Sequence, residues 1–456
     1  MNYKNFILLL ILLFLTLRVL LFNINSVYSW DEAIYLSHAE GIAAGKGYGY
    51  VGDHKVEGYR PPFFPFILSL SYLINGEMAA KLLISLISIL SIALFYCLSK
   101  DIFDRKLALL STLFLATNHM HLFFSYRIMA ENLALLLVTL DFYLFYLLKK
   151  DLKFLPFLGL SLALTLLTKY NLLVIGPIFL LFLIIFDRKL LLKVLSSKYF
   201  YLGIMIFLVV LFPWLWYQFK EFGSLIGAPV AQLKEWKLFI PFRYFLLAPL
   251  ALGFVLPFTI FGLSKMVKEQ KKWIVLLVLT FTSLFLFSQG IRLQSMRYIH
   301  PILPFFGIIS VCGLSDKKKI ALFTLLCIFN MLVGYFVIFQ YISPLAGMET
   351  LPEFLTPGKP SYFRANLVRK EAALYIKNMT NENSTVMSGA SAWLWVYTHR
   401  NFVPIPDTEE EFWKKVNQYN ISYIYLEPGP INYLEDNPKI ENIQKNIFIE
   451  VYRVKV

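Results

Sequence analysis

Acids, a histidine and a tyrosine collect early in the chain, in YSWDEAIYLSHAEG. Asp31, Tyr35 and His38 are spaced at i, i+4 and i+7, which places them on one face of a helix. A carboxylate at a helix start is stabilised in its ionised form, so Asp31 is available as a general base. Glu32 forms an S-x-x-E capping box with Ser29, so its alternative role is to cap this helix.

A glycine-rich stretch follows this helix, GIAAGKGYGYVGDHKVEGYRPPFFP. Glycines allow a backbone to approach a ligand closely, and they are equally typical of a flexible loop. The stretch ends in Tyr59 and Arg60, directly before two prolines. The guanidinium group of Arg60 has the fork of donors that binds phosphate; the alternative is that Arg60 snorkels at a membrane surface.

Three later segments place charged groups beside apolar runs. They are HLFFSYRIMAENLALL, with Arg127 and Glu131, LTKYN, with Lys169, and QGIRLQSMRYIHPILP, with Arg292, Arg297 and Tyr298. A charge at the end of a membrane span is costly and usually faces a cavity. The alternatives are a plain helical i, i+4 ion pair of Arg127 with Glu131, and snorkelling for each basic residue alone.

The elements that position these residues belong to a membrane protein. The chain is 58% hydrophobic and 16% charged, whereas soluble domains are roughly 45–50% apolar and about 25% charged. Apolar runs long enough to cross a bilayer recur from Phe6 to Tyr341. The first run, 6–22, lacks a small-residue cleavage site before Ser29, which favours a retained helix over a signal peptide.

The net charge of +14 lies in the apolar part of the chain, because residues 351–456 contain equal numbers of basic and acidic residues. Five basic clusters, SKDIFDRK, KKDLK, DRKLLLK, SKMVKEQKK and DKKK, recur between pairs of apolar runs. The positive-inside rule makes these clusters cytoplasmic and places the candidate site residues on the other face. Cytoplasmic loops therefore explain the basic charge better than nucleic-acid binding does. About eleven spanning helices are expected.

The segment 61–74 is too short for a span and predicts a helix that lies on the outer surface. After a Pro- and Gly-punctuated linker at 342–360, the pattern changes. ANLVRKEAALYIKNM has helical periodicity, STVMSGA and ISYIYLEP are typical of strands, and TEEEFWKKVNQY is typical of a capped helix. We therefore predict a membrane domain at 1–341, with a long outer loop at 23–77, and a small extracytoplasmic α/β domain at 361–456.

An Asp-Glu follows the first span, and after it come a small-residue helix, a Gly-Tyr stretch and a Pro-Pro before an apolar helix. This order of features resembles the first outer loop of the GT-C glycosyltransferases. The protein O-mannosyltransferases and the lipid A aminoarabinose transferases are the most similar. RIMAE resembles the Arg-x-x-x-acid element of this family, and RYIHPILP resembles its last outer loop. The resemblance covers most of the chain and implies a multi-pass protein of the plasma membrane with an extracytoplasmic active site.

This resemblance implies transfer of a monosaccharide from a polyprenyl (dolichyl or undecaprenyl) phosphate to an extracytoplasmic protein, lipid or glycan, with inversion. It implies a catalytic base at Asp31, with Glu32 beside it. The residues expected to bind the donor phosphate and sugar are Arg60, Arg127, Glu131, Lys169, Arg292, Arg297 and Tyr298. The residues expected at the acceptor or in the pocket wall are Tyr35, His38 and Tyr59.

Two points depart from the family pattern. Glu131 stands where many relatives carry Asp, and no set of residues has the spacing of metal ligands. Metal dependence is therefore left open, with Glu131 and His54 as weak candidate ligands for a divalent ion. The three cysteines lie in apolar segments, which argues against a cysteine metal site.

Two other function classes stay open. A transporter or flippase for a lipid-linked or anionic substrate should carry ionisable groups near mid-membrane and two matched halves, and neither feature is evident. A non-catalytic assembly subunit would share the same residues. The partners expected for the enzyme are the lipid-linked sugar, its acceptor and the bilayer, without nucleic acid.

Overall fold

The computed structural model describes residues 3–55, 60–226, 243–269, 272–289, 296–314, 316–341, 362–428, 434, 437–445 and 448–455. Contacts divide the chain into two compact units. One, the helical unit, comprises Met1–Asn23, Tyr59–Phe64 and Lys81–Val337. The other, the mixed unit, comprises Ile24–Gly58, Pro65–Ala80 and Ile338–Val456.

The elements follow one another in this order. Up to residue 226 they are α1 (Tyr3–Leu20), α2 (Trp30–Ala43), β1 (Tyr50–Val51), β2 (His54–Lys55), α3 (Phe63–Tyr72), α4 (Gly76–Ile102), α5 (Arg105–Thr117), α6 (His119–Phe124), α7 (Glu131–Leu147), α8 (Leu155–Leu166), α9 (Ile175–Phe186), α10 (Arg188–Leu195) and α11 (Lys198–Phe222).

From residue 243 they are α12 (Arg243–Leu252), α13 (Leu256–Glu269), α14 (Lys272–Ser288), α15 (Leu303–Val311), α16 (Lys317–Tyr341), α17 (Tyr362–Met379), β3 (Thr385–Ser388), α18 (Ser391–Thr398), β4 (Asn401–Val403), α19 (Glu409–Tyr419), β5 (Tyr423–Leu426), β6 (Ile440–Lys445) and β7 (Glu450–Val454). Short 3-10 turns join some of the helices, among them Met296–Tyr298 and His300–Ile302.

Short polar side chains cap the N-termini of several helices in the helical unit. The Asp104 carboxylate accepts hydrogen bonds from the backbone N–H groups of Lys106 and Leu107 at the start of α5. The Asn118 side chain does the same for the first turn of α6. Such caps satisfy N–H groups that have no partner inside the helix, so they fix where each helix begins.

The helical unit packs through small residues and aromatic rings. A Cβ atom on Gly159 would lie 2.2 Å from the carbonyl oxygen of Gly203, so α8 and α11 approach each other closely only because both positions are glycine. Between α7 and α9, the rings of Phe145 and Phe179 stack with centroids 4.2 Å apart. Close packing of this kind holds the helices of this unit against one another.

Within the part of the chain that the structure describes, four helical segments are long and apolar enough to cross a membrane: Gly76–Ile102, Lys198–Phe222, Tyr244–Lys268 and Lys317–Phe336. Several shorter apolar helices accompany them. The long helices expose large apolar side chains, such as Leu208, Val209 and Phe212 on α11, which is the surface expected toward lipid. The protein is therefore a multi-pass membrane protein. The count of eleven spans and the orientation stay predictions.

The segment after the double proline is a helix of only ten residues, α3, as its length suggested. The backbone N–H of Phe63 donates to the carbonyl of Leu167 at 2.9 Å, within the helical unit. On the remainder of α3, Phe66 and Leu70 are exposed. This apolar face is compatible with the predicted surface location, which stays a prediction.

The mixed unit contains a five-stranded sheet with the order β4-β3-β5-β7-β6. β3 is parallel to β4 and β5, whereas β7 is antiparallel to β5 and β6. Met387, Phe412, Ile424 and Tyr452 lie in the core of this sheet and its helices. The strands predicted in STVMSGA and ISYIYLEP are confirmed.

The predicted helices of this region are also present, as α17 and α19, and the Thr408 hydroxyl caps α19. The unit includes more than the predicted domain at 361–456, because α2, β1 and β2 belong to it as well. The predicted linker, 342–360, lies outside the described residues. The predicted boundary at 341/342 stays a prediction.

Candidate active site

The first turn of α2 is closed by Glu32, as the capping-box interpretation expected. Its Oε2 accepts from both the backbone N–H and the hydroxyl of Ser29, at 2.8 and 2.9 Å. Its Oε1 accepts from the Asn25 side chain at 2.8 Å. Both carboxylate oxygens of Glu32 accept hydrogen bonds and the residue is fully buried, so its role as a helix cap explains why a glutamate occupies this position. A catalytic role for it stays a prediction.

Asp31 is the second residue of α2 and remains partly exposed, unlike its neighbour. Tyr35 and His38 follow on the same helix and are buried. The His38 ring packs edge-on against the ring of Tyr48, with centroids 5.2 Å apart. The helix start favours an ionised carboxylate at Asp31. A partly exposed, ionised carboxylate backed by a buried tyrosine and histidine can accept a proton from a hydroxyl or amine.

Three candidate residues of the helical unit come together around a fourth, Glu131, the first residue of α7. The Lys169 ammonium lies 2.7 Å from Glu131 Oε1. Arg297 Nε lies 3.9 Å from the same oxygen. The Tyr298 ring lies beneath both cations, with its centroid 5.3 Å from Lys169 Nζ and 5.4 Å from Arg297 Cζ. We call Glu131, Lys169, Arg297 and Tyr298 the charge cluster.

The charge cluster joins three segments that are far apart in sequence: the start of α7, the turn after α8 and the 3-10 turn Met296–Tyr298. Glu131 is 2% exposed, whereas the side chains of Lys169 and Arg297 are 13% and 29% exposed. The carboxylate is therefore an internal anchor, and the cations lie between it and the exterior. Two cations and one carboxylate leave a net positive charge, which suits an anionic ligand.

Arg127 is buried in the turn between α6 and α7, and its guanidinium lies 5.2 Å from the centroid of the Phe123 ring. The alternative interpretation placed Arg127 and Glu131 one turn apart on a single helix, and the structure differs from it in this respect. α6 ends at Phe124 and α7 begins at Glu131, so the two residues do not share a helix. The turn at residues 125–130 separates the two helices.

Arg60 lies in a bend, partly exposed, three residues before Phe63. The hydrogen bond from Phe63 to Leu167 ties this bend to the turn that ends in Lys169. Two candidates from distant parts of the sequence thus lie on connected segments of the helical unit. Tyr59 and Arg292 lie outside the described residues.

A buried chain of polar groups supports the charge cluster and was not predicted. His300 Nδ1 lies 3.2 Å from the carbonyl oxygen of Glu131, so this nitrogen carries the proton. His300 Nε2 then accepts from His121 Nδ1 at 3.1 Å. His121 Nε2 accepts in turn from the Ser88 hydroxyl at 3.0 Å. We call Ser88, His121 and His300 the histidine relay.

The histidine relay connects α4, α6 and the turn after Arg297 to the backbone at the start of α7. Each of its three side chains is fully buried. A satisfied buried network of this kind fixes the segments that it joins. No local pattern marks Ser88, and the only signal for the histidines was their position near the outer ends of apolar runs.

Burial and charged neighbours change the pKa of two groups in the mixed unit. Burial, followed by the neighbouring Glu77 carboxylate, raises the pKa of the Tyr28 phenol, which donates to Glu77. A hydrogen bond from Lys46 lowers the pKa of Asp53, at the exposed β1–β2 hairpin. Tyr28 therefore stays a hydrogen-bond donor at neutral pH.

Among the described residues, no group of three or more His, Cys, Asp or Glu side chains is placed to hold a metal ion. His54 packs against the ring of Phe402, with centroids 4.9 Å apart. Glu131 is engaged with Lys169. A divalent metal stays a prediction without an identified ligand set.

The sequence profile of the family described as dolichyl-phosphate-mannose-protein mannosyltransferase matches residues 59–217, which is less than half of the chain. This match includes Arg60, Arg127, Glu131 and Lys169. No curated protein matches the sequence.

Solved structures match over much more of the chain. ArnT from Cupriavidus metallidurans in the apo state is similar with a TM-score of 0.75 and 12% identity, covering 99% of this chain and 98% of that chain. The chain therefore has the same fold as ArnT. ArnT bound to undecaprenyl phosphate matches over the same shares of both chains, with 12% identity and a TM-score of 0.72.

A second relative has the same fold with additional chain length. The oligosaccharyltransferase AglB from Archaeoglobus fulgidus, in complex with an inhibitory peptide and a dolichol-phosphate, matches with a TM-score of 0.56 and 12% identity. The match covers 93% of this chain and 69% of that chain. The resemblance to GT-C glycosyltransferases that the sequence motifs indicated is therefore confirmed.

Proposed function

We propose that the protein is a membrane glycosyltransferase that moves a monosaccharide from a polyprenyl phosphate to a hydroxyl or amine of an extracytoplasmic acceptor. The observation that carries this proposal is the likeness to ArnT over nearly the whole of both chains, since ArnT has been solved with undecaprenyl phosphate bound. The proposed location is the plasma membrane, with the site on the side opposite the basic clusters.

The charge cluster has the chemistry that a lipid-linked phosphate needs. Lys169 and Arg297 are cations that reach outward from a buried carboxylate, and Glu131 holds the lysine ammonium at 2.7 Å. A cation that is already held in place stabilises a leaving phosphate without reorganising during the reaction. Arg60 and Arg127 are proposed as further phosphate contacts, because their guanidinium groups offer paired donors.

Asp31 is proposed as the general base. Its carboxylate takes the proton of the acceptor hydroxyl or amine as the acceptor oxygen or nitrogen forms a bond to the anomeric carbon. The bond between that carbon and the phosphate oxygen breaks at the same time, and its electron pair leaves with the phosphate. In-line displacement at one centre inverts its configuration. Tyr35 and His38 are proposed to line the acceptor side.

The test is incubation of the purified protein, in lipid nanodiscs, with a panel of radiolabelled polyprenyl-phosphate monosaccharides and with peptide, glycolipid and glycan acceptors. We expect one donor to be consumed and its sugar to appear on one acceptor class. Asp31→Asn should remove this activity, whereas Asp53→Asn, at the exposed hairpin of the same unit, should retain it. Consumption of no donor, or equal activity in both variants, would contradict the proposal.

A further inference from the structure

Helix α18, in the C-terminal part of the chain, has an unusual sequence for a helix of eight residues, SAWLWVYT. Its aromatic side chains and the following histidine form two i, i+4 pairs on different faces of the helix. One pair is Trp393 with Tyr397, and the other is Trp395 with His399. Both pairs contact α2, the helix that carries Asp31, inside the mixed unit.

The first pair holds the residue before the N-cap of α2. Trp393 Nε1 donates to the carbonyl oxygen of Tyr28 at 3.1 Å. The backbone N–H of Tyr28 donates to the Tyr397 hydroxyl oxygen at 2.7 Å. The rings of Tyr28 and Tyr397 also stack, with centroids 5.8 Å apart. Both backbone polar groups of Tyr28 are thus fixed three residues before Asp31.

The second pair holds the other end of α2. Trp395 Nε1 donates to Glu40 Oε2 at 2.7 Å, and His399 Nδ1 lies 3.7 Å from Glu40 Oε1. The Trp395 ring also covers Gly52, where an added Cβ would lie 2.6 Å from ring carbon Cζ3. Residues 28 and 40 are twelve positions apart, about 18 Å along a helix. α18 therefore holds α2 at both ends.

The sheet and α17 in turn hold α18. Short connections join it to β3 and β4, and the Arg369 guanidinium lies 4.2 Å from the centroid of the Trp393 ring. Lys370 on α17 donates to the carbonyl of Ser26 at 2.7 Å, just before Tyr28. These contacts are directed hydrogen bonds to the backbone and to a carboxylate. Because the partners of Trp393, Trp395 and Tyr397 are at the two ends of α2, these bonds fix this helix as well as satisfying buried polar groups.

We propose that α18 is a positioning element for catalysis, in which Trp393, Trp395 and Tyr397 fix the place and direction of the helix that carries Asp31. This inference rests on the proposed function, in which Asp31 is the base. A misplacement of about 1 Å at a reacting group costs about 100-fold in rate. The C-terminal part of the chain thereby contributes to the chemical step without contacting the substrate.

The test combines Trp393→Phe with Tyr397→Phe in the full-length protein. These changes remove the indole donor and the hydroxyl acceptor but keep an aromatic ring at both positions, so the fold should be retained, which the thermal unfolding midpoint checks. We expect kcat for sugar transfer to fall about 10- to 100-fold, with KM for the donor within twofold. Hydrogen exchange of the backbone amides in residues 30–43 should become faster.

Trp413→Phe is the matched control, because its indole donates to Glu409 within α19, at 3.2 Å. It should leave kcat and the exchange of residues 30–43 unchanged. Unchanged kcat in the double variant, or an equal fall in the control, would overturn the inference. If the wild-type protein transferred no sugar, the proposed function would fail. The exchange of residues 30–43 in the double variant would then still test whether α18 fixes α2: faster exchange supports it, and unchanged exchange contradicts it.

Discussion

In the helical unit the candidate site charges hold one another: Glu131 binds Lys169, and the histidine relay ties the backbone of Glu131 to α4 and α6. In the mixed unit, Asp31 is held indirectly, through a helix whose Trp393 contacts Tyr28 from 365 positions away in sequence. Removal of one member of the charge cluster therefore disturbs its neighbours, whereas the hydrogen bonds from α18 to Tyr28 and Glu40 do not involve the Asp31 side chain. This difference determines how substitutions in each unit should behave.

The largest effect in the helical unit is expected from Lys169→Met. It removes a held cation, so kcat/KM for the donor should fall about 10²- to 10³-fold. Lys46→Met, which removes the exposed ion pair with Asp53, is the matched control and should stay within twofold. Steady-state transfer kinetics in nanodiscs measure both, and a Lys169→Met enzyme as active as the control would show that the cluster does not bind the donor phosphate.

His300→Phe should have a smaller effect, because it acts through the histidine relay. It leaves the His121 N–H and the Glu131 carbonyl buried without their partner, which costs about 1–3 kcal/mol of unfolding free energy. The displaced Glu131 should also reduce transfer about tenfold. Thermal unfolding and transfer assays measure these losses.

His300→Gln is a milder substitution at the same position, because the glutamine amide can both donate and accept a hydrogen bond. It should recover part of the stability and of the activity. Equal, wild-type values for both His300 variants would mean that the relay does not support the cluster.

The smallest effect is expected from Thr408→Ala, which removes the cap of α19 in the mixed unit. The Glu411 N–H donates to the Thr408 hydroxyl at 3.4 Å, and loss of such a cap costs about 0.5–1 kcal/mol. Transfer should stay within twofold, and Thr408→Ser should resemble the wild type in unfolding experiments. A clear fall in transfer by Thr408→Ala would mean that general destabilisation of the mixed unit lowers the activity. The effect of the α18 variants would then not be specific to the contacts of α18.

The sequence predicted those features of the fold and of the site that depend on a local pattern of residues. Apolar runs gave the long apolar helices, short strand-like runs gave β3 and β5, and the S-x-x-E spacing gave the bond between Ser29 and Glu32. Residue type and placement beside apolar runs also indicated Glu131, Lys169 and Arg297, which meet in the structure.

Other features depend on contacts between distant segments and leave no local pattern. The histidine relay joins α4, α6 and the turn at His300, so neither the periodicity nor the spacing of any one segment reveals it. The contact of α18 with Tyr28 is of the same kind. A local pattern also misled in one place: the spacing of Arg127 and Glu131 suggested one helix, because the turn between α6 and α7 has no proline or glycine to mark it.

The most direct measurement is a comparison of donor affinity and single-turnover rate in Asp31→Asn and in the wild-type protein. The account predicts that polyprenyl phosphate binds with unchanged affinity, while the rate of sugar transfer falls about 10²- to 10⁴-fold. Transfer at the wild-type rate, or a loss of donor affinity as large as that in Lys169→Met, would contradict the assignment of Asp31 as the base.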